Sequence, residues 1–159
     1  MSTETLQTAL EREHRAIDRG IETFVAEAGD GGAESYTAAP LVEAIEALKR
    51  HIYLEEAFLF PPLREAGLTM PIFVMLREHG ELWKTMDALT ALLDEKADSQ
   101  RLRDTCTEFL AQLDQHNSKE EPVIYPQATS LSEAATADLA EFIASGQTPY
   151  NWVCQHGRS

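Results

Sequence analysis

Apolar residues recur at three- and four-residue steps along most of this chain, which places them on one face of an α-helix. In the first segment this face contains Leu6, Leu10, Ile17, Ile21, Phe24 and Ala28. Gly29 to Gly32 predict the end of that helix, because glycine tolerates the positive φ angles found at helix C-termini. The two-residue alternation of β-strands does not occur, so the pattern predicts an all-α protein.

The same spacing predicts four further helices, over about residues 40–60, 71–96, 100–121 and 132–145. Pro61-Pro62 predict the end of the second helix, and Pro122 and Pro126 that of the fourth, because proline interrupts a helix interior. Four long helices with short connections predict an antiparallel up-down-up-down four-helix bundle with a short C-terminal fifth helix. We expect one domain over residues 1–146 and an irregular C-terminal tail over residues 147–159.

Composition narrows the class of protein and of partner. The 159 residues are 43% hydrophobic and 25% charged, which is typical of one soluble globular domain. The net charge of -14 argues against nucleic-acid or membrane partners, since both favour positive potential. No apolar run is long enough to span a bilayer, and the first residues do not resemble a signal peptide. With only Cys106 and Cys154 as cysteines, we expect a cytoplasmic protein without a disulfide framework.

A set of polar residues recurs in both halves of the chain at an offset of 65 positions. The corresponding pairs are His14 with His79, His51 with His116, Glu55 with Glu120, Glu56 with Glu121, and Pro61 with Pro126. Residues four apart share a helix face, so each His-x-x-x-Glu pair points in one direction. Because these residues continue the apolar faces, we expect them inside the bundle. A duplicated helix pair with matched polar positions predicts a site with two similar halves.

This interior polar set predicts a site for two metal ions. The predicted ligands are His14, His51, Glu55, His79, His116 and Glu120. Two buried carboxylates would be costly without a partner, and cations between them remove that cost. Each ion would take two histidines, and both carboxylates could bridge. Imidazole and carboxylate suit iron, manganese or zinc. A lone histidine on an apolar face is more often a core residue, but the matched set favours ligation.

Other polar and aromatic residues have two interpretations each, and no residue is assigned as catalytic. Glu56 and Glu121 are expected to be solvated, or to contact a ligand residue without contacting the metal themselves. Asp18 could orient a ligand histidine, with surface exposure as the alternative. Trp83 and Tyr125 are expected to pack in the core, with shielding of the metals and a redox role as their respective alternatives.

The motifs of this chain resemble those of the haemerythrin-like (HHE cation-binding) family. The matching elements are Glu13-His14, His51-x-x-x-Glu55, Glu78-His79 and His116-x-x-x-Glu120, with Phe60-Pro61 and Tyr125-Pro126 behind them, over about residues 5–128. The resemblance implies an antiparallel four-helix bundle around two iron ions with an oxo or hydroxo bridge. Trp83 stands where the oxygen carriers have a further histidine, so the chain is similar to the four-His, two-Glu variant found in iron-cluster repair proteins and iron sensors.

Three functions stay open on these residues. The favoured one is a non-haem di-iron protein that binds or reduces a small oxidant, namely O2, H2O2 or NO. It could be an oxidoreductase that consumes peroxide or NO, and the resemblance adds a role in oxidative or nitrosative stress. The alternative is an iron-sensing or iron-handling protein whose fold is stabilised by metal. The third is a helical interaction protein with a structural metal. The sequence predicts a diatomic gas or peroxide as partner and leaves any protein partner unknown.

Overall fold

The computed structural model describes residues 4–30 and 36–157, and every regular element in these two stretches is helical. In chain order the α-helices are α1 (Leu6–Asp30), α2 (Ala39–Leu54), α3 (Phe60–Glu65), α4 (Thr69–Asp94), α5 (Ser99–Val123) and α6 (Glu133–Ser145). A π-helical turn, Glu55–Leu59, joins α2 to α3, and a 3-10 helix, Tyr125–Ser130, lies between α5 and α6. The predicted all-α class is confirmed. Of the glycines predicted to end α1, Gly31 and Gly32 lie outside the described residues.

The long helices α1, α2, α4 and α5 pack against one another as a closed group, with α1 against α2 and α5, and α4 against α5 and α2. Their apolar faces point inward, and side chains such as Phe24 and Phe109 are buried. The core consists of two apolar clusters, one containing Ile17 and the other Leu10. His14 lies between these two residues on α1, so the polar positions separate the clusters.

Two helix N-termini are capped by their own side chains. Asp98 accepts a hydrogen bond from the backbone N–H of Arg101 at 2.9 Å at the start of α5, and Ser132 accepts one from Ala135 at 3.1 Å at the start of α6. Such caps satisfy backbone donors that have no partner within the helix. The Ser132 cap and the end of α6 before Gly146 agree with the sequence pattern.

Pro61 and Pro62 do not end a helix, and Pro122 lies inside one. After Glu55 the chain widens into the π-turn, in which the N–H of Phe60 donates to the carbonyl of Glu55. Pro61 and Pro62 then lie in the first turn of α3, where a missing N–H has no helical partner to lose. Pro122 lies inside α5, which continues to Val123. The predicted helix end at Pro61-Pro62 is therefore wrong, whereas α5 ends between the two prolines, Pro122 and Pro126, that were predicted to close it.

The C-terminal segment packs on the bundle after α6. Cys154 is 3% exposed, and Trp152 contacts the rings of Trp83 and Tyr53 edge-on, with centroids 5.6 and 5.0 Å away. We call residues 151–157 the C-terminal strap. Within the described residues, none of the helices combines the length and hydropathy that crossing a bilayer requires.

Candidate metal centre

The six predicted ligands come together at one level in the middle of the bundle, and none is more than 4% exposed. They form two groups that share both glutamates. The His14 group contains His14, His51, Glu55 and Glu120, and the His79 group contains Glu55, His79, His116 and Glu120. Within each group, one potential ligand atom per residue lies within 4.8 Å of all the others. Each of α1, α2, α4 and α5 supplies one of the imidazoles.

The two oxygens of each shared glutamate face different groups. Oε2 of Glu55 lies 3.3 Å from Nε2 of His51, and Oε1 lies 3.0 Å from Nε2 of His79. Glu120 divides its oxygens in the same way between the other two imidazoles, at 3.1 and 3.3 Å. This arrangement lets each carboxylate contact both groups at once, as a bridging ligand must.

A ring of carboxylates surrounds the imidazoles. Each histidine donates its Nδ1–H to a glutamate of a neighbouring helix: His51 to Glu13 at 2.8 Å, His79 to Glu56 at 2.7 Å, His116 to Glu78 at 2.9 Å, and His14 to Glu121 at 2.7 Å. These bonds turn every Nε2 toward the centre. A metal-binding histidine typically makes such a hydrogen bond through its other nitrogen, which fixes the tautomer and the ring orientation.

Two of the four glutamates in this ring were predicted from the sequence. Glu56 and Glu121 were predicted to be solvated or to support a ligand, and the structure places each against a histidine. Glu13 and Glu78 received no role, although each precedes a histidine of the set at the 65-residue offset. That repeated Glu-His pair was the signal, but the partner across the helix interface depends on packing that the repeat alone does not specify.

Tyr125 occupies a position that the sequence did not predict. Core packing was expected, and the residue is fully buried. Its hydroxyl lies 2.6 Å from Oε2 of Glu55, 3.0 Å from Oε1 of Glu120, and 2.8 Å from Nε2 of both His14 and His51. The tyrosine oxygen is thus within hydrogen-bond distance of all four residues of the His14 group.

The other half of the chain has no equivalent hydroxyl. Phe60 is the residue that the 65-residue offset pairs with Tyr125. Its ring stacks on His79, with centroids 5.5 Å apart and the planes 18° from parallel. The exchange of phenylalanine for tyrosine was visible in the sequence, and it makes the two groups chemically different.

The arrangement can be compared with known families. A family model, the Hemerythrin HHE cation binding domain, matches residues 5–128 of this chain. The chain belongs to the haemerythrin HHE family. A search of curated proteins and a search of solved structures each gave no significant match. The match and the geometry agree that this HHE domain is a cation-binding domain whose His and Glu groups could hold metal ions.

Electrostatics in the HHE domain favour ionised glutamates beside protonated histidines. Burial opposes a charge on His116, but the attraction of the nearby Glu120 carboxylate and the hydrogen bond to Glu78 outweigh it and raise the pKa of His116 to about 10. The pKa of Glu120 is held well below its usual range, because His116 and His14 outweigh the effect of burial. These charges compensate one another inside the core.

The same balance applies around Glu55. Burial and the neighbouring Glu120 charge raise its pKa, but His51 and His79 outweigh both and leave the pKa of Glu55 lowered. Burial opposes the charge of His51 and His79, yet contacts with Glu55 and with the carboxylate ring raise the pKa of both. The pKa of Tyr125 is raised well above its usual value by burial and by the two carboxylates, so its hydroxyl keeps its proton.

Unpaired polar atoms test whether the site suits a metal. Three buried atoms, Oε1 of Glu55, Oε2 of Glu120 and Nε2 of His79, have no hydrogen-bond partner among the described residues. Oε1 of Glu55 and Nε2 of His79 are 3.0 Å apart, but they are not aligned for a hydrogen bond. Atoms left unpaired in a core are costly, and a cation would bind them. The donors are imidazole and carboxylate, which suit iron, manganese and zinc.

The structure also locates Asp18 and Trp83, the two other residues near the site that had alternative interpretations. Asp18 has one buried carboxylate oxygen without a partner, and burial raises the pKa of Asp18 to about 6. The Nδ1 of His14 is bonded by Glu121, so Asp18 does not orient this histidine. Trp83 is 4% exposed and belongs to the apolar cluster that contains Ile17, in agreement with core packing.

Proposed function

We propose that this HHE protein is a non-haem di-iron protein that binds or reduces a small oxidant, O2, H2O2 or NO. An antiparallel up-down-up-down bundle of α1, α2, α4 and α5 would hold one iron in the His14 group and one in the His79 group. The observation that supports this proposal is the pair of buried groups that share both glutamates. A carboxylate with one oxygen in each group is suited to hold two cations side by side.

Iron bound there would supply redox chemistry, and four protein residues per ion would leave positions open for a small molecule. The chain itself supplies a dry and rigid setting. Apolar clusters lie on both sides of the site, and the carboxylate ring holds every histidine in one orientation. The Tyr125 hydroxyl can hold a proton beside both shared glutamates.

A narrow approach supports a small ligand. A polar cleft of about 40 Å³ lies between α4 and α5 on the outer side of His116, and its lining includes Glu78, Gln112, Gln115 and His116. On this measure one water molecule needs about 10–15 Å³, so the cleft holds only a few water-sized molecules. Diatomic gases and hydrogen peroxide are in this range.

The proposal is tested by loading metal-free protein with ferrous iron under anaerobic conditions. We expect about two irons per chain and a change in the visible and near-ultraviolet spectrum on adding O2, H2O2 or NO. Glu120→Ala should lose the two-iron loading, while Glu108→Ala, on the exposed face of the same helix, should retain it. A loaded protein whose spectrum responds to none of the three oxidants would contradict the proposal.

An iron-handling role is the second candidate, because two fully buried glutamates make the fold itself sensitive to cations. A ligand that binds only the folded state raises the free energy of unfolding, and the increase grows with the logarithm of its affinity. This candidate predicts a large increase in melting temperature on iron loading. Equal melting temperatures for metal-free and loaded protein would remove it.

A further inference from the structure

The two halves of the centre differ on their outer side. Glu56 and Glu121 are equivalent by the 65-residue offset, and each lies 2.7 Å from Nδ1 of its histidine. The Glu56 side chain is 7% exposed, whereas that of Glu121 is 33% exposed. The C-terminal strap, residues 151–157, lies against Glu56 and contributes to this difference.

The strap bonds directly to this carboxylate. The backbone N–H of Gln155 donates to Oε1 of Glu56 at 2.9 Å, while Oε2 of the same group holds His79. Gln155 is part of a tight turn over residues 154–157, in which the N–H of Gly157 donates to the carbonyl of Cys154 at 3.0 Å. In the part of the chain that the structure describes, Glu121 has no such second donor.

The surface of α4 has room for the strap. A Cβ at Gly80 would lie 2.6 Å from the carbonyl oxygen of His156 and 2.8 Å from its Cβ, so any side chain there would collide with the strap. The equivalent residue on α1 is Arg15, which is exposed. The strap therefore fits only one of the two halves, and a glycine at residue 80 is needed for that fit.

We propose that the strap is a positioning element for one metal ion of the pair. The Gln155 amide fixes Glu56, Glu56 fixes His79, and the ion of the His79 group is consequently released more slowly than the ion of the His14 group. This inference rests on the two-metal centre proposed above. Groups that orient a ligand from outside the first layer typically change metal affinity by about 10- to 100-fold when they are removed.

The test compares Gln155→Pro with Gln155→Ala. Gln155 is the second residue of the turn, where proline is favoured, so the proline variant removes the N–H while keeping the turn. Iron-loaded protein is mixed with a ferrous chelator under anaerobic conditions, and release is followed in time. Wild type should release iron in two phases. Gln155→Pro should accelerate the slow phase about fivefold. This effect is smaller than the loss of metal affinity, about 10- to 100-fold, that typically follows removal of a whole ligand-orienting side chain. Gln155→Ala should change neither phase. Equal release from the two variants would overturn the proposal.

A second pair of variants tests whether the strap acts through Glu56. In a Glu56→Ala background, Gln155→Pro and Gln155→Ala should release iron alike, because the coupled partner is gone. A persisting difference between them would show that the amide acts elsewhere and would overturn the assignment. Gly80→Arg, which copies Arg15, should displace the strap and accelerate the slow phase without any change in the strap sequence. An unchanged slow phase would contradict the proposal that the strap slows release of this ion.

Hydrogen exchange separates this inference from the two-iron proposal. In metal-free protein the Gln155 amide should exchange slowly, and Glu56→Ala should make it exchange rapidly. Two irons in wild type together with rapid exchange of this amide would overturn the proposal for the strap but not the two-iron proposal. Fewer than two irons in wild type would overturn both proposals.

Discussion

Metal uptake by this centre should release protons from the ligand histidines. The pKa of His116 is raised to about 10, and those of His51 and His79 are also raised. At pH 7, His116 is therefore protonated on the nitrogen that faces the centre. A metal ion binds the neutral imidazole, so this proton must leave before Nε2 can become a ligand.

The number of protons follows from the same groups. His116 contributes one, because its pKa lies about three units above pH 7. His51 and His79 add at most one each, and Glu55 and Glu120 add none, since their lowered pKa keeps them ionised. These three histidines should therefore release about one to three protons when two ions bind. Each proton raises the apparent association constant about tenfold per pH unit, so uptake should strengthen about 10- to 1,000-fold per unit.

Stability of the metal-free fold should change in the opposite direction. A pKa raised by folding stabilises the native state fully below the unfolded value of about 6.5, and this contribution is lost as pH rises through the folded value. For His116 the decline should extend from about pH 6.5 to about pH 10. Metal-free protein should therefore unfold more easily at pH 9 than at pH 6.5, in the same range where metal binds more tightly.

Titration calorimetry measures the protons directly. Metal-free protein is titrated with zinc at pH 7 in two buffers that differ in ionisation enthalpy, and the dependence of the observed enthalpy on the buffer gives the number released. Glu108→Ala is the control, because its change is remote from the centre and exposed. The reasoning would be refuted if two ions bound without releasing a proton. It would also be refuted if the affinity did not change between pH 6 and pH 8.

Other substitutions test the ligands and the fold. Glu55→Ala and His116→Ala should each abolish retention of two irons by elemental analysis, and retention in both would refute the ligand assignment. Tyr125→Phe should lower the metal-free unfolding free energy by about 1.5–3 kcal/mol in urea, as expected for a hydrogen bond to a charged group; no change would contradict that bond. Phe109→Ala should cost about 3–5 kcal/mol in the same assay, and a cost near zero would contradict the core assignment. Asp98→Ala should cost about 1 kcal/mol, unlike Asp98→Asn, which retains a cap.

The helices and the inner ligands were predictable because each is encoded locally. The apolar period located the six-residue set on inward faces, and the 65-residue repeat showed that His51 and His116 belong to similar helices. The π-turn after Glu55 was not predictable in the same way. Its extra residue leaves the apolar spacing nearly unchanged, so the sequence up to Phe60 looks like one continuous helix.

The remaining features depend on contacts between distant segments. The pattern around Tyr125 is typical of packing at a helix end, and only the fold brings its hydroxyl between α1 and α2. The strap has no periodicity, yet Trp152 and Cys154 are drawn onto the bundle by apolar contacts. The bond from Glu13 to His51 likewise depends on how α1 and α2 are aligned, which a repeat cannot specify.

The carboxylate ring also describes how the two halves of the chain are joined. Its four bonds alternate between links inside a half, Glu13 to His51 and Glu78 to His116, and links across the halves, Glu56 to His79 and Glu121 to His14. Each half alone lacks the partners for two of these hydrogen bonds, one for a glutamate and one for a histidine, and the other half supplies both partners. The domain is thus organised as an internal pseudo-symmetric dimer of helical hairpins. Fragments produced by cutting at Gly67, between α3 and α4, should associate to complete the centre rather than fold separately.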